Sequence, residues 1–231
     1  MKKVKSPYFT YPRIPLRGRP PEKNEPLVMR LGGRSLFSFA FARLLQGPLA
    51  DRPKPSILEI SAGSGELTRL MVDMARARNR TIRVTAVEFQ KSAVDACRSA
   101  SRGYPEIDST LSTVAGLEDL RTAGYDMVVC GFAMHLFPID QAIVLLKTID
   151  RTARDAWLVT DLRRSRWLTM ITEALGSWSA SNGSGLQEAV SLTQQAFTGR
   201  EMKNLAFHAG IADYEWRGWL LLHQTLTRIK R

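Results

Sequence analysis

The chain has 231 residues, of which 44% are apolar, so it is long enough for one α/β domain with a substantial core and a modest addition. No apolar run approaches the ~18–20 residues of a membrane-spanning helix. Proline-rich polar sequence, not a hydrophobic stretch, follows the basic N-terminus, which argues against a secretory signal. The net charge is +11, but residues 1–34 hold nine Lys and Arg against two acidic residues, a local charge of +7. The charge therefore indicates a basic terminal segment more than a nucleic-acid-binding face on the domain.

The first 26 residues are rich in proline, with Tyr8, Phe9 and Tyr11 set among Lys and Arg. This composition predicts a basic arm without regular structure, either a disordered tail or an aromatic flap over a site mouth. Residues 27–231 are predicted to form the domain. Its first helix has an apolar stripe from Leu36 to Leu45 and ends at Gly47-Pro48.

A strand-turn-helix unit at residues 56–68 organises the rest of the chain. A short buried strand runs to Ile60, glycines follow at Gly63 and Gly65, and an amphipathic helix begins after them. Glycines at such a turn let the backbone pass close to a ligand, and the helix start presents free N–H groups. The next strand, residues 82–88, ends in Glu88, which can accept hydrogen bonds from both hydroxyls of a ribose. The glycine turn and Glu88 together predict a nucleoside-bearing cofactor.

The spacing argues against a dinucleotide. The G-x-G-x-x-G/A fingerprint needs a small third residue for helix–strand packing, and counting from Gly63 that position holds Thr68. NAD and FAD are therefore disfavoured.

Downstream, strands and helices alternate, which predicts a doubly wound, mostly parallel sheet. The predicted elements are a helix over 90–101, a strand near 109–114, a strand over 125–130, a helix over 139–152 and a strand over 156–160. Ligands of such sheets sit beyond the carboxyl ends of the strands, where His135 and Asp161 emerge.

The C-terminal third combines an irregular segment with a regular end. Residues around 163–197 are predicted to form a helical cap over a substrate pocket, with a flexible Ser- and Gly-rich link. Thr198 and Glu201 form a capping box that starts the last helix. Two strands, over 213–217 and 219–227, are expected to close the sheet as an antiparallel hairpin.

The two cysteines show no metal-ligand spacing, so we predict reduced thiols, no metal site and a cytoplasmic location.

Glu59, the Gly63-Ser-Gly65 turn and Glu88 together resemble class I S-adenosylmethionine-dependent methyltransferases. The resemblance is closest to bacterial small-molecule methyltransferases associated with polyketide-type pathways. It is carried also by residues 30–33, 161–165 and 195–198. It implies a seven-stranded, Rossmann-like sheet and S-adenosylmethionine as cofactor, with these cofactor-binding residues: Arg30, Glu59, Ser61, Gly63, Gly65, Glu88, Phe89, Gly116, Leu117 and Cys130. This sequence departs from the family at Ser61, at Gly116 and at Met134-His135.

Methyl transfer from a sulfonium depends mainly on positioning, but an oxygen nucleophile of high pKa also needs a proton acceptor. His135 is the candidate base, and Asp161 is its candidate orienting group. Phe132, Arg163 and Trp167 are the candidate substrate-binding residues. The sequence predicts O-methylation of a small phenolic or polyketide-like molecule. Two alternatives stay open, a nucleic-acid methyltransferase that uses the basic arm and a protein of this fold without methyl transfer.

Overall fold

The computed structural model of the protein describes residues 34–113, 116–117, 124–165, 193–219 and 222–230. The predicted arm, Arg30, Trp167 and most of the predicted cap lie outside these ranges. The helices are α1 (Arg34–Gln46), α2 (Glu66–Arg76), α3 (Lys91–Ala100), α4 (Ile139–Thr152) and α5 (Gly199–His208). The strands are β1 (Ser56–Ile60), β2 (Arg83–Glu88), β3 (Ile107–Leu111), β4 (Tyr125–Gly131), β5 (Ala153–Leu162), β6 (Glu215–Trp219) and β7 (His223–Ile229).

The strands form one seven-stranded sheet in the order β3-β2-β1-β4-β5-β7-β6. The first five pair in parallel, whereas β7 runs antiparallel to both β5 and β6. The strand order reverses between β1 and β4, which creates the crevice where ligands of open α/β sheets bind. The predicted doubly wound sheet with an antiparallel C-terminal hairpin is confirmed.

The sheet has a hydrophobic core on each face. Under α1 and α2 the core contains Phe37, Phe41 and Met71, and the opposite core, under α4 and α5, contains Trp157 and Met202. Because helices cover both faces, β1 and β4 are almost continuously buried along their length. Within the described ranges, every helix is too short or too polar to cross a lipid bilayer.

Four strands differ from their predicted bounds by two or more residues at an end. β5 extends over Ala153–Leu162, so Asp161 lies inside the strand instead of in the loop after it. β3 begins at Ile107, two residues before the expected start, and the closing strands are shifted toward the C-terminus by two to four residues. Pairing with β5 sets the register of β7, and this long-range constraint overrides the local hydrophobic pattern.

Arg80, which follows α2, hydrogen-bonds to the C-terminal end of α1 and to the turn after it. Its guanidinium donates hydrogen bonds to the carbonyl oxygens of Leu45, of Leu49 at 2.6 Å and of Arg52 at 2.8 Å. These carbonyls are not used by the helix ladder, so one side chain satisfies several open acceptors.

Candidate active site

The loop between β1 and α2 has an unusual backbone. Ser61, Gly63 and Gly65 have φ values of 60°, 57° and 81°. The loop is held by two main-chain hydrogen bonds, from Ala62 N to Val87 O at 3.1 Å and from Gly65 N to Ala62 O at 2.9 Å. Ser61 adopts the left-handed region without being a glycine, which costs it about 1–2 kcal/mol.

The two glycines of this loop have different surroundings. A β-carbon added at Gly65 would lie 2.5 Å from Cys97 Sγ on α3, so Gly65 is required for packing. A β-carbon added at Gly63 would meet no atom within 4 Å. Gly63 therefore borders open space at the carboxyl edge of the sheet, as expected for a backbone that a ligand approaches.

Glu88 closes the other side of this space at the end of β2. Its Oε2 accepts a hydrogen bond from Gly63 N, and its Oε1 accepts one from Phe89 N, both at 2.8 Å. An ionised carboxylate has about four acceptor positions, so two are left for the hydroxyls of a ribose. The open space beside Gly63 and the two remaining acceptor positions of the Glu88 carboxylate fit a nucleoside-bearing cofactor.

Glu59 differs from Glu88 in its surroundings. Its side chain is 1% exposed and accepts a hydrogen bond from the hydroxyl of Thr68, which is itself fully buried on α2. Burial, with a smaller contribution from the charge of Glu88, raises the pKa of Glu59 to about 8, against the effects of the Thr68 hydrogen bond and the Arg69 charge. Glu59 is therefore mostly neutral at pH 7. Thr68 was not singled out from the sequence as a site residue.

Two of the predicted cofactor-binding residues, Gly116 and Leu117, follow β3. Leu117 is buried in the same apolar cluster as Val87, and Phe89 packs against that cluster. Gly116 N donates a hydrogen bond to Thr113 Oγ1 at 3.0 Å. Phe89 also contacts the ring of Phe137 edge to face, with centroids 6.3 Å apart.

His135 and Asp161 are brought together although they are 26 residues apart. His135 Nδ1 lies 2.6 Å from Asp161 Oδ1, and His135 N donates to Asp161 Oδ2 at 2.8 Å. Asp161 is fully buried, and its Oδ1 also accepts a hydrogen bond from Leu162 N at 2.8 Å. Three hydrogen bonds thus satisfy the acceptor positions of this buried carboxylate.

Cys130 lies on β4 among these carboxylates. Burial raises the pKa of its thiol far above the usual range, and the nearby charges of Asp161, Glu59 and Glu88 raise it further. A protonated, buried thiol is a poor nucleophile. Within the described ranges, no three His, Cys, Asp or Glu side chains are grouped so that they could hold a metal ion.

The two described substrate-binding candidates point to different places. Phe132 has a φ of 55°, and its ring meets that of His223 edge to face, with centroids 5.9 Å apart. His223 is a buried imidazole at the start of β7. The guanidinium of Arg163 lies 6.0 Å from the ring centroid of Trp216 on β6. Since β6 lies beyond β7, Arg163 extends away from β4 and from the glycine loop.

A family model described as a methyltransferase domain matches residues 57–156, which run from β1 into β5. No curated protein sequence matches the chain. Among solved structures, the magnesium protoporphyrin IX methyltransferase of Synechocystis PCC 6803 with bound SAH is 15% identical, with a TM-score of 0.61 over 89% of this chain and 86% of that one.

Two further structures share the fold over part of their length. The citrinin polyketide synthase CMeT domain is 16% identical, with a TM-score of 0.62 over 84% of this chain and 52% of that one. Human N-acetylserotonin methyltransferase in complex with SAM is 16% identical, with a TM-score of 0.59 over 88% and 52%. At these identities the structural likeness establishes the fold, and the family model matches 100 of the 231 residues.

Proposed function

We propose that the chain is a methyltransferase of the class I, S-adenosylmethionine-dependent type and that it methylates a hydroxyl group of a small molecule. A phenolic or polyketide-like acceptor is the class we favour. Two structures of similar fold come from natural-product methylation, the citrinin polyketide synthase domain and the plantazolicin methyltransferase. They support a small-molecule acceptor for this chain.

The observation that carries the proposal is the hydrogen bond between His135 and Asp161. With a proton on Nδ1 donated to Asp161 Oδ1 at 2.6 Å, the other ring nitrogen, Nε2, keeps its lone pair. The bond from His135 N to the same carboxylate fixes the backbone as well as the ring. This arrangement suits a general base, because the carboxylate stabilises the imidazolium formed when Nε2 takes a proton.

S-adenosylmethionine, when bound, supplies an electrophilic methyl group on a sulfonium sulfur. Glu88 and the backbone at Gly63 are the groups that would hold its nucleoside. In the proposed reaction His135 Nε2 would take the proton of the acceptor hydroxyl while the methyl group passes from sulfur to oxygen and the cofactor leaves as the thioether, and Asp161 would balance the positive charge on the ring. Placing the reacting atoms in line accounts for much of the rate, and proton removal adds roughly 10²–10⁴-fold.

The test compares His135→Ala and Asp161→Asn with wild type in methyl transfer to a panel of phenols. We expect His135→Ala to lose about 10²–10⁴-fold in rate while its affinity for S-adenosylmethionine stays within about twofold. Asp161→Asn should show a smaller loss and an altered pH–rate profile. His208→Ala, on the exposed end of α5, is the matched control and should retain full activity. A His135→Ala enzyme of nearly wild-type rate would contradict base-assisted O-methylation and favour an acceptor that needs no proton removal.

A further inference from the structure

The two ends of the glycine loop are joined by a buried pair of side chains. Glu59 is the fourth residue of β1, and Thr68 lies in the first turn of α2, so the whole loop lies between them. The hydroxyl of Thr68 donates a hydrogen bond to Glu59 Oε2, with 0% and 1% of the two residues exposed. This burial separates both groups from a ligand that approaches at Gly63.

The loop needs restraints of this kind. Its three residues of positive φ are Ser61, Gly63 and Gly65, and a free chain would not hold them together in that region. Glu88 restrains the tip through Gly63 N, and Arg69 Nη1 donates to Ser64 O at 2.8 Å. The bond between Glu59 and Thr68 restrains the base, where strand becomes loop and loop becomes helix.

Burial and the charge of Glu88 favour the neutral form of Glu59, and the charge of Arg69 opposes them. Its electrostatic neighbours are Glu88 on β2, Arg69 on α2, and Cys130 on β4, whose thiol also feels Asp161 on β5. Burial is the largest cause of the raised pKa of Glu59, and Glu88 adds to it. A neutral Glu59 does not repel the carboxylate of Glu88 across the loop. An ionised Glu59 would place a second negative charge behind the group that holds the ribose.

We propose that Glu59 and Thr68 are positioning residues, which hold the glycine loop in its ligand-binding shape without touching the ligand. This inference rests on the proposed use of S-adenosylmethionine. It departs from the expectation that Glu59 binds the cofactor directly, and it assigns Thr68 a role at the site. Removing the bond frees the base of the loop, so that Gly63 N and Glu88 lose their fixed relation and cofactor affinity falls.

The first experiment removes the hydroxyl while keeping the side-chain shape. Thr68→Val should bind S-adenosylmethionine about 5- to 30-fold more weakly by calorimetry, the effect of losing one buried hydrogen bond. Thr68→Ser keeps the hydroxyl and should return affinity to within about threefold of wild type. Thr148→Val, at a buried threonine of α4, is the matched control and should bind as wild type does. Equal affinity of Thr68→Val and wild type would overturn the proposal, as would weak binding by Thr68→Ser.

The second experiment uses pH. Glu59→Gln is close in shape, can accept the same hydrogen bond and does not ionise. Affinities of wild type and variant are compared between pH 6.5 and 9.5, and the ligand's own titration cancels in their ratio. We expect wild type to lose affinity relative to the variant as the pH rises above 8, by about 3- to 10-fold at the alkaline end. A ratio that does not change with pH would contradict the proposal.

A third measurement separates this inference from the proposed function. Hydrogen exchange of the Ala62 and Gly65 amides, in protein without ligand, reports the loop itself. Exchange should be faster in Thr68→Val than in wild type and in Thr148→Val, whether or not the protein methylates a hydroxyl. Wild type that binds S-adenosylmethionine but transfers no methyl group would remove the proposed function and leave this inference standing. Unchanged exchange in Thr68→Val would remove the inference alone.

Discussion

Gly65 and Cys97 are packed so closely that a β-carbon at Gly65 would lie 2.5 Å from the thiol sulfur, whereas Gly63 borders open space. The same loop thus contains one glycine required by the fold and one suited to a ligand. Sequence spacing treats the two alike, because both belong to a G-x-G turn.

The two glycines should therefore respond differently to alanine. We expect Gly65→Ala to lower the free energy of unfolding by ~2–4 kcal/mol, since both the clash with Cys97 and the φ of 81° oppose a side chain. Gly63→Ala should cost only ~1 kcal/mol of stability, because it strains the backbone without a clash. It should nevertheless weaken S-adenosylmethionine binding at least tenfold. Urea unfolding and calorimetry measure the two effects, and an equal stability loss in both variants would contradict the distinction.

Glu88 is expected to determine cofactor affinity. Glu88→Ala removes the ribose acceptor and the hydrogen bond to Gly63 N, so we expect binding of S-adenosylmethionine to weaken by ~1.5–3 kcal/mol. Calorimetry on the folded variant measures this loss. Asp108→Ala, at an exposed position of β3, is the control for removing one negative charge. Affinity that falls equally in both variants would show a general electrostatic effect instead of a ribose contact.

Ser61 has the left-handed φ of 60° that its position in the loop requires. Ser61→Gly should relieve this strain and raise the free energy of unfolding by ~0.5–1 kcal/mol, allowing for the greater freedom of glycine in the unfolded chain. It should also tighten S-adenosylmethionine binding if the β-carbon crowds the methionine end of the cofactor. Thermal unfolding with and without ligand measures both changes. A less stable variant would show that the hydroxyl makes a compensating contact.

The ionisation of Glu59 gives stability a definite pH dependence. Its pKa is about 8 in the folded protein, against 4.5 for an exposed glutamate in the unfolded chain. Between these values the folded protein keeps a proton that the unfolded chain has released, so stability falls as the pH rises from about 4.5 to 8. Glu59→Gln removes this slope. We expect the variant to match wild type near pH 4.5 and to exceed it by ~2–4 kcal/mol at pH 8.5 in urea unfolding.

Glu106 is the control for this pH series. Its pKa is lowered by the Arg76 guanidinium, so its contribution to stability has the opposite sign and is lost as the pH falls. Glu106→Gln should therefore be less stable than wild type at neutral pH and closest to it in acid. Parallel pH curves for wild type and Glu59→Gln would mean that Glu59 is not titrating in this range.

Local pattern was sufficient to predict much of this molecule. The apolar run of β1, the glycine turn and the acidic end of β2 are neighbours in sequence, so local pattern predicted the part of the sheet edge where Gly63 and Glu88 meet. The capping box at Thr198 and Glu201 is present as predicted. His135 and Asp161 were both predicted at strand ends, but their hydrogen bond depends on β4 and β5 being adjacent in the sheet.

Other features depend on tertiary contacts that no local pattern encodes. Thr68 lies among the inward-facing residues of α2, so only the structure shows its bond to Glu59. Arg163 follows β5 directly, yet it lies over Trp216, which is 53 residues later in the chain. At its C-terminal end β5 is longer than predicted because Asp161 and Leu162 pair with β7, and at its N-terminal end it begins at Ala153, which pairs with Tyr125 of β4.

Arg80 donates hydrogen bonds to the carbonyl oxygens of Leu45, Leu49, Ala50 and Arg52, and these contacts divide the chain before β1 into regions that differ in their tolerance of insertions. Any added residue between Leu45 and Arg52 would move at least one carbonyl oxygen out of reach of a single guanidinium. Residues added before Arg34 change none of these distances. Natural variation in chain length among proteins of this kind should therefore concentrate ahead of α1, while the segment from α1 to Arg52 keeps a constant number of residues.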